Sequence, residues 1–260
     1  MAADVENVTG VRFPPVLEDF EGWTKKKKIL IILAHPDDPE FFMGATLSRW
    51  GKLGHEIHYV LLTTGQKGSQ DISQTPEGLA EIRKVEQQNA ANALGIKSVQ
   101  FWDYVDGELV PDIELRKRLV RLIRQMRPQI VISSDPLNYF PAGNRVNHPD
   151  HRAAGQAVLD AVYPAVGNPM FFPELIDEEG LVPVNVEELW FSIPAQANLV
   201  VNVSDYFEDK INAILCHRSQ IGMDVDKFKE IMKTRWVTVS EQWQRVYLER
   251  FHRIVFGEAK

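Results

Sequence analysis

Short apolar runs alternate with longer segments of helical periodicity through the first two-thirds of the chain, and this alternation constrains the fold more than any other feature. Four runs predict buried strands, at 29–34, 55–63, 99–102 and 130–134. Apolar residues at helical spacing predict helices over 40–53, 78–94, 112–126 and 149–162. Such alternation is typical of right-handed βαβ units. The sequence therefore predicts a doubly wound, mainly parallel, Rossmann-like α/β sheet with helices on both faces.

Glycine and proline residues mark where these predicted elements begin and end. Gly54 and Gly95 follow two of the helices, and Pro128 ends a third, because glycine suits a helix C-terminus and the residue before proline avoids the helical conformation. Pro149 stands in the first turn of the fourth helix, where proline is favoured. The stretch 64–77 carries two glycines and a proline, so it is predicted to be a long loop.

Beyond residue 163 the pattern is weaker and the domain boundaries rest on composition. The pattern predicts two strands, a helix and a mainly helical tail, at 188–191, 199–203, 205–218 and from 222 onward. No stretch is linker-like enough to divide the 260 residues, so a single domain is predicted. Within 1–260, the two ends are assigned to an N-terminal extension, 1–25, and a C-terminal tail, 222–260.

Composition narrows the class of protein. Apolar residues make up 44% of the chain, enough for a full core, and the net charge of −7 argues against nucleic acid as the main partner. The single cysteine, Cys216, excludes an internal disulfide and fits a reducing compartment. No window approaches the roughly 18 apolar residues of a membrane span, and the apolar run after Lys25–Lys28 is too short for a signal peptide. A soluble, cytoplasmic protein is therefore expected.

Two polar clusters follow predicted strands at the point where each strand ends. The first strand ends at His35, Asp37 and Asp38, and a second cluster at 148–151 follows the fourth strand. If the strand order is the common 3-2-1-4, the first and fourth strands are neighbours at the topological switch point, where α/β folds bind ligands. The two clusters are therefore expected to meet in one crevice.

The residue types in these clusters are those that bind catalytic metal ions. His35 and Asp38 are three residues apart, as are His148 and His151, and each spacing lets two side chains face one point. Catalytic zinc takes three protein ligands from histidine and carboxylate and leaves one position open. It lowers the pKa of a bound water to about 7, and a nearby carboxylate such as Asp37 can take the proton. Zn²⁺ is the predicted cofactor, and Fe²⁺ would tolerate the same ligands.

Simpler interpretations exist for each cluster taken alone. His-Pro-Asp is common in turns, and Asp37 or Asp150 can cap the helix that follows it. Both clusters after adjacent central strands favour metal binding over two separate caps. Motifs for other chemistries are absent: there is no Gly-x-Gly-x-x-Gly after the first strand, no Walker phosphate loop and no Gly-x-Ser-x-Gly elbow.

Five motifs in this chain resemble those of the LmbE/PIG-L family of zinc-dependent de-N-acetylases, which act on N-acetylglucosamine conjugates. Residues 34–40, Ala-His-Pro-Asp-Asp-Pro-Glu, are similar to the family signature Ala-His-Pro-Asp-Asp-x-Glu, and residues 148–151 resemble its second motif. Three supporting motifs also match, at 83–86, 106–109 and 217–220. The resemblance therefore covers roughly residues 29–220.

The resemblance implies roles for the residues of the first motif and for the last histidine of the second. His35, Asp38 and His151 would bind zinc. Asp37 would be the general base that deprotonates the attacking water. The expected reaction is removal of acetate from an N-acetylglucosaminyl or related amino-sugar conjugate, a small molecule. Family resemblance also implies a homo-oligomer, a trimer or hexamer.

Four more residues receive roles from the same resemblance. His148 would be an imidazolium near the oxyanion or the leaving amine, tuned by a hydrogen bond to Asp150. Arg83 and Asp106 would hold sugar hydroxyls. These roles compete with local interpretations: Arg83 and Glu86 can form a surface ion pair worth about 0.3–0.5 kcal/mol. Asp106-Gly107 is typical of a turn, and packing at a helix end is favoured for residues 217–220.

One position departs from the family pattern. In some members an aromatic hydroxyl shortly before the second motif polarises the carbonyl, and here that place is Val146, with Tyr139 earlier in the loop as a candidate substitute. Substrate specificity is expected in surface segments, at 138–147, 65–78 and 165–184. The same centre would also suit esters or non-sugar amides. A non-catalytic binding module is disfavoured, because every metal and base residue is present.

Overall fold

The computed structural model describes residues 16–17, 22–141, 145–235, 237–239 and 245–257. The predicted N-terminal extension 1–25 and parts of the C-terminal tail fall largely outside these ranges. The strands are β1 (Val16–Leu17), β2 (Lys28–Leu33), β3 (Glu56–Thr63), β4 (Ser98–Tyr104), β5 (Ile130–Ser134), β6 (Glu188–Ser192), β7 (Leu199–Asn202), β8 (Val237–Val239) and β9 (Arg245–Val255). The α-helices are α1 (Asp38–Leu53), α2 (Pro76–Ala93), α3 (Ile113–Met126), α4 (Pro149–Asp160), α5 (Glu174–Asp177), α6 (Phe207–Ile214) and α7 (Val225–Arg235).

The strands form one mixed sheet whose central part is parallel. Its order is β1-β7-β9-β6-β5-β2-β3-β4, and β8 pairs with β9. β2 pairs in parallel with β3 on one side and with β5 on the other, so the predicted order 3-2-1-4 is confirmed for the first four predicted strands. Among the strands that the structure describes, every antiparallel pair involves β9, which lies between β6 and β7 and also pairs with β8.

Helices cover both faces of the sheet, as a doubly wound fold requires. Alternate residues of β2 divide between two apolar cores: Leu30 and Ile32 pack with α3 and α4, whereas Ile29 and Ile31 pack with α1 and α2. All four side chains are fully buried, and each contributes about 1.5–3 kcal/mol to folding. The predicted α/β class is therefore confirmed. No helix in the part of the chain that the structure describes is long and apolar enough to cross a membrane.

The predicted helix boundaries are close to those observed, and the differences have local causes. α2 begins at Pro76, two residues earlier than predicted, because the Thr75 hydroxyl accepts a hydrogen bond from the N–H of Gly78 and caps the helix. The predicted helix over 205–218 is shorter, Phe207–Ile214, with a 3₁₀ turn before it and another after it.

The prediction of a mainly helical C-terminal tail is wrong beyond α7. Residues 245–255 form β9, the longest strand that the structure describes, inserted in the sheet between β6 and β7. The alternation of apolar and polar residues that marks a strand is hidden in this sequence. Glu249, which is 2% exposed, points inward with Phe251, while Arg250 points to solvent. A buried carboxylate at an inward position breaks the apolar pattern by which strands are recognised.

Glu249 has a structural reason to be buried. α1 is kinked at Met43, whose φ of −148° and ψ of 24° are not helical. The kink frees N–H groups at the start of the second part of α1, and the Glu249 carboxylate accepts from Ala45 N–H at 3.2 Å and Thr46 N–H at 2.9 Å. Lys210 of α6 contacts the same carboxylate at 2.7 Å. The C-terminal strand therefore fixes the helix that follows the first polar cluster.

Segment 165–184, which was predicted to contribute to substrate specificity, lies away from the polar clusters. α4 begins beside the polar clusters and runs for 12 residues, about 18 Å, so the segment after it lies at the opposite edge of the sheet. Asn168 and Val184 line a cavity of about 810 Å³ there, together with Glu188 at the start of β6. The buried Arg124 guanidinium holds this segment by donating to several of its carbonyl groups.

Candidate metal centre and active site

The two polar clusters meet at the carboxyl ends of β2 and β5. The turn after β2 carries His35, Asp37 and Asp38, and the first turn of α4, which packs on β5, carries His151. Nitrogen and carboxylate oxygen atoms of His35, Asp38 and His151 lie within 4.8 Å of one another. A second group with the same property consists of His35, Asp106, His148 and Asp150. Six predicted site residues therefore surround one crevice.

Three side chains converge in the first group. His151 Nε2 lies 3.0 Å from Asp38 Oδ1 and 3.3 Å from His35 Nδ1. His35 Nδ1 lies 3.5 Å from Asp38 Oδ2. Two imidazole nitrogens and a carboxylate at these separations match the donors of a catalytic zinc or iron(II) site.

In each histidine of the first group, one ring nitrogen points to the centre and the other points away from it. When the ring is neutral and the outer nitrogen carries the proton, the inner nitrogen carries a lone pair. His35 Nε2 lies 3.1 Å from Asp106 Oδ1 and 3.3 Å from Asp150 Oδ2, so its proton faces carboxylates. His151 Nδ1 donates to Asn147 Oδ1 at 2.9 Å. Both tautomers then direct unprotonated nitrogens at the same point, an arrangement that a cation stabilises. Carboxylate or carbonyl partners behind histidine ligands are typical of metal sites.

The electrostatics of the cluster favour a positive charge at its centre. Burial opposes protonation of His35, but hydrogen bonds to Asp106, Asp150 and Asp38 outweigh it and raise its pKa well above the ordinary value. Burial likewise opposes ionisation of Asp38, but His151 and His35 hold the pKa of that carboxyl well below its usual range. The field that would hold a proton here would also hold a divalent cation.

Asp37 has an unusual backbone conformation. Its φ is 85°, in the left-handed region that residues other than glycine rarely adopt. It occupies the position before α1, but its side chain makes no cap hydrogen bond, so the simpler interpretation as a helix cap is wrong. Its carboxylate lies 3.2 Å from the Arg83 guanidinium. Burial, which Arg83 partly offsets, raises the pKa of Asp37 to about 6, as suits a general base.

The structure gives His148 and Asp150 a different relation from the predicted one. The Asp150 carboxylate is fully buried and accepts from the N–H groups of Gly107 and Leu109 at 2.7 and 3.2 Å, besides facing His35. His148 receives a hydrogen bond from the backbone N–H of Asp150, at Nδ1 and 3.2 Å. Burial and the neighbouring imidazoles lower the pKa of His148. The predicted role of His148 as an imidazolium stays a prediction.

Comparison with known proteins identifies the family. A family model described as GlcNAc-PI de-N-acetylase, PIG-L, matches residues 30–162. Diacetylchitobiose deacetylase of Thermococcus kodakarensis is 36% identical over 206 residues, which cover 79% of this chain and 74% of that protein. The chain belongs to the PIG-L family. The predicted family is thus confirmed.

Two further relatives of this PIG-L protein extend the comparison. A probable N-acetyl-α-D-glucosaminyl L-malate deacetylase 2 of Bacillus anthracis is 29% identical, over 84% of this chain and 92% of that protein. The structure of N,N′-diacetylchitobiose deacetylase from Pyrococcus horikoshii, complexed with its inhibitor MPG, is similar with a TM-score of 0.78 and 32% identity. The match covers 88% of this chain and 84% of that one. The names of these relatives agree with the predicted reaction class.

Two of the three supporting motifs, at 83–86 and 106–109, reach the site in ways that the local patterns did not indicate. Arg83 is 4% exposed and donates to the carbonyls of Gly65 and Pro36, so it is not a surface ion pair with Glu86. Gly107 has a φ of 82°, as a turn requires, yet the preceding Asp106 reaches His35. Contact of Arg83 and Asp106 with sugar hydroxyls stays a prediction.

Sequence reasoning missed three residues that support the site. Asn147 orients His151, Gln87 accepts from the N–H of Asp37, and Glu40 accepts from Gln87. Glu40 belongs to the signature motif, and Gln87 lies one helical turn after Arg83, so both carried a signal that spacing could have revealed.

Two residues, Val146 and Tyr139, were considered for the hydroxyl that would polarise the carbonyl. Val146 is 74% exposed and has no hydroxyl. The Tyr139 ring packs beneath the Arg152 guanidinium, 4.6 Å from the ring centre. Residues 142–144 of the same loop lie outside the described part of the chain. Substitution by Tyr139 stays a prediction.

Proposed function

We propose that this protein is a metal-dependent deacetylase that removes the acetyl group from an N-acetylglucosamine unit of a small conjugate. The observation that carries the proposal is the convergence of His35, Asp38 and His151 beside a carboxylate, Asp37, that is held for proton transfer. Relatives named as deacetylases of diacetylchitobiose and of N-acetylglucosaminyl malate support the amino-sugar class of substrate.

His35, Asp38 and His151 would hold the metal, and we propose Zn²⁺, with Fe²⁺ as the alternative that the same ligands accept. When bound, such an ion supplies a Lewis acid that polarises the amide carbonyl and acidifies water. Asp106 and Asp150 fix the orientation of the His35 ring from behind. Asn147 does the same for His151.

The side chains of the chain then perform the proton transfers. Asp37 takes a proton from the attacking water as its oxygen bonds to the carbonyl carbon, and Arg83 holds the carboxylate in place. The proton that Asp37 has taken then passes to the amide nitrogen as the carbon–nitrogen bond breaks, giving acetate and a free amine. His148 is half-exposed across the crevice, where its ring can donate to the oxyanion or to the leaving nitrogen. A cytoplasmic location and a trimeric or hexameric assembly stay predictions.

The test is acetate release from a panel of N-acetylglucosamine conjugates by metal-free protein, zinc-restored protein and Asp37→Asn. Asparagine keeps the shape of the side chain and tolerates a left-handed backbone, so only the base is removed. We expect activity to return with zinc and to fall by about 10²–10⁴-fold in the variant, with metal content unchanged. Stoichiometric metal without acetate from any sugar amide would overturn the substrate class and direct the assay to esters and other amides.

A further inference from the structure

Two residues of α2 form hydrogen bonds with the Pro36–Asp37 peptide group, one with its carbonyl and one with its N–H. Arg83 donates to the carbonyl of Pro36 at 2.6 Å, and Gln87 Oε1 accepts from the N–H of Asp37 at 2.9 Å. The carbonyl and the N–H belong to the same planar unit, so the two contacts fix its orientation. Arg83 and Gln87 are four residues apart and share one face of the helix.

We propose that Gln87 is a positioning residue for the general base, which it holds in the left-handed conformation through the backbone of Asp37. The inference rests on the proposed function, in which Asp37 is that base. The φ of 85° at Asp37 is unfavourable for a side chain with a Cβ atom. Such a conformation persists where surrounding contacts over-determine it, and Gln87 and Arg83 supply those contacts from a single element.

Two buried residues fix the orientation of the Gln87 amide. Gln87 Nε2 donates to both oxygens of Glu40, at 3.0 and 3.1 Å, so its oxygen must face Asp37. Glu40 is in turn contacted by His217 Nε2 at 3.1 Å. All three side chains are fully buried. The motif at 217–220, which the sequence assigned to packing, thus connects to the base through Glu40 and Gln87.

α2 is also joined directly to that C-terminal motif. The carboxylate of Glu86 accepts from the N–H of Ser219 at 2.7 Å and from its hydroxyl at 2.6 Å. The same helix therefore contacts both the turn that carries Asp37 and the turn that carries His217. Because Gln87 touches neither the metal ligands nor the crevice in any described contact, its effect on catalysis would pass through the geometry of Asp37 alone.

The first experiment compares Gln87→Met with Gln88→Met in the zinc-loaded protein. Methionine keeps the length of the side chain and removes the hydrogen bonds to Asp37 and Glu40. Gln88 is an exposed neighbour that bonds only to Asn92 among the described contacts. We expect kcat to fall by about 10–100-fold in Gln87→Met, with KM and metal content within about twofold of the wild type. The control should match the wild type. An unchanged kcat in Gln87→Met, or a loss of bound metal that accounts for the fall, would overturn the proposal.

The second experiment exchanges the two partners. Gln87→Glu alone places two carboxylates in contact and should lower kcat, whereas Gln87→Glu combined with Glu40→Gln rebuilds the same hydrogen bonds with the roles reversed and should restore it. Crystal structures give a readout that does not need activity: φ of Asp37 should leave the left-handed region in Gln87→Met and return in the exchanged pair. A φ near 85° in Gln87→Met would overturn the positioning role. Wild-type protein that releases no acetate would instead refute the proposed function, and the structures would still decide the role of Gln87.

Discussion

At the scale of single residues, the strain at Asp37 is held in place by the buried Arg83 guanidinium, and glycine makes room for that guanidinium. A Cβ atom on Gly68 would lie 2.5 Å from Arg83 Nη1, and one on Gly65 would lie 2.1 Å from it. Gly65 needs its glycine for a second reason, since its φ is 63°. Gly68 has an ordinary φ, so its substitution tests the packing alone.

Gly68→Ala should push Arg83 away from Asp37 without straining the backbone. Because the guanidinium is buried and bonded to Pro36 and Gly65, it can only move by giving up a contact. We expect kcat to fall by about 10-fold or more, with the zinc content unchanged. Steady-state kinetics with metal analysis checks this. Gly222→Ala is the matched control, because nothing lies within 4 Å of its Cβ position; equal effects of the two changes would contradict the prediction.

The His217–Glu40 pair predicts a pH dependence of stability. Burial opposes protonation of His217, but the hydrogen bond and charge of Glu40 outweigh it and raise the pKa of His217 in the folded protein. A raised folded pKa adds stability that is complete below the unfolded value of about 6.5 and is lost as the pH rises through the folded value. Each unit of difference corresponds to about 1.4 kcal/mol.

His217→Gln should remove that dependence while keeping a donor for Glu40. We measure the free energy of unfolding of both proteins in urea from pH 5.5 to 9. The value for the wild type should exceed that for the variant by the largest amount at the acid end. The gap should narrow as the pH rises. Taking the difference between the two proteins cancels the titration of groups that they share. A gap that is constant or that widens with pH would show that His217 is not held protonated by Glu40.

At the scale of elements, some contacts could be predicted from the sequence and others could not, for different physical reasons. His35 and His151 could be brought together from the sequence because strand order and the carboxyl-end rule place the turns after β2 and β5 side by side. The contact between Gln87 and Glu40 could not be predicted, because it depends on where the folded structure places α2 relative to the first turn of α1, which periodicity does not specify. β9 was missed for a related reason, since the inward Glu249 answers a kink in α1 that only the folded structure contains.

Close packing of α4 on β5 positions His151, and Gly155 permits it. A Cβ atom on Gly155 would meet the carbonyl oxygen of Ser134 at 2.1 Å, and backbone atoms cannot yield as a flexible side chain can. Gly155→Ala should therefore displace the helix and destabilise the protein by about 1–3 kcal/mol. It should also weaken the binding of zinc, which equilibrium dialysis measures. Gly167→Ala, beyond the other end of this helical segment, has only ordinary contacts and serves as the control. Full zinc affinity in Gly155→Ala would show that the helix position is not set there.

At the scale of the whole molecule, the site draws on segments far apart in sequence. Residues of 35–40, 83–87, 106–109, 147–151 and 217–219 contact one another within it. β9 adds a sixth segment through Glu249, which fixes the helix after the metal turn. A ligand bound at such a point stabilises the folded state as a unit, because the unfolded chain does not bring these segments together.

Metal binding should therefore raise the melting temperature of the entire protein, and the rise should identify the ligands. At zinc concentrations near 100 times Kd the gain is about 2.7 kcal/mol, or roughly 5–10 °C for a chain of this size. His151→Ala removes a member of the first cluster and should abolish the rise. His148→Ala, which leaves His35, Asp38 and His151 intact, should keep most of it. Differential scanning calorimetry with zinc and with chelator measures both variants. If instead His148→Ala abolishes the rise and His151→Ala keeps it, the metal lies in the second cluster, with His35, Asp106 and Asp150, because those are the side chains that His148 joins.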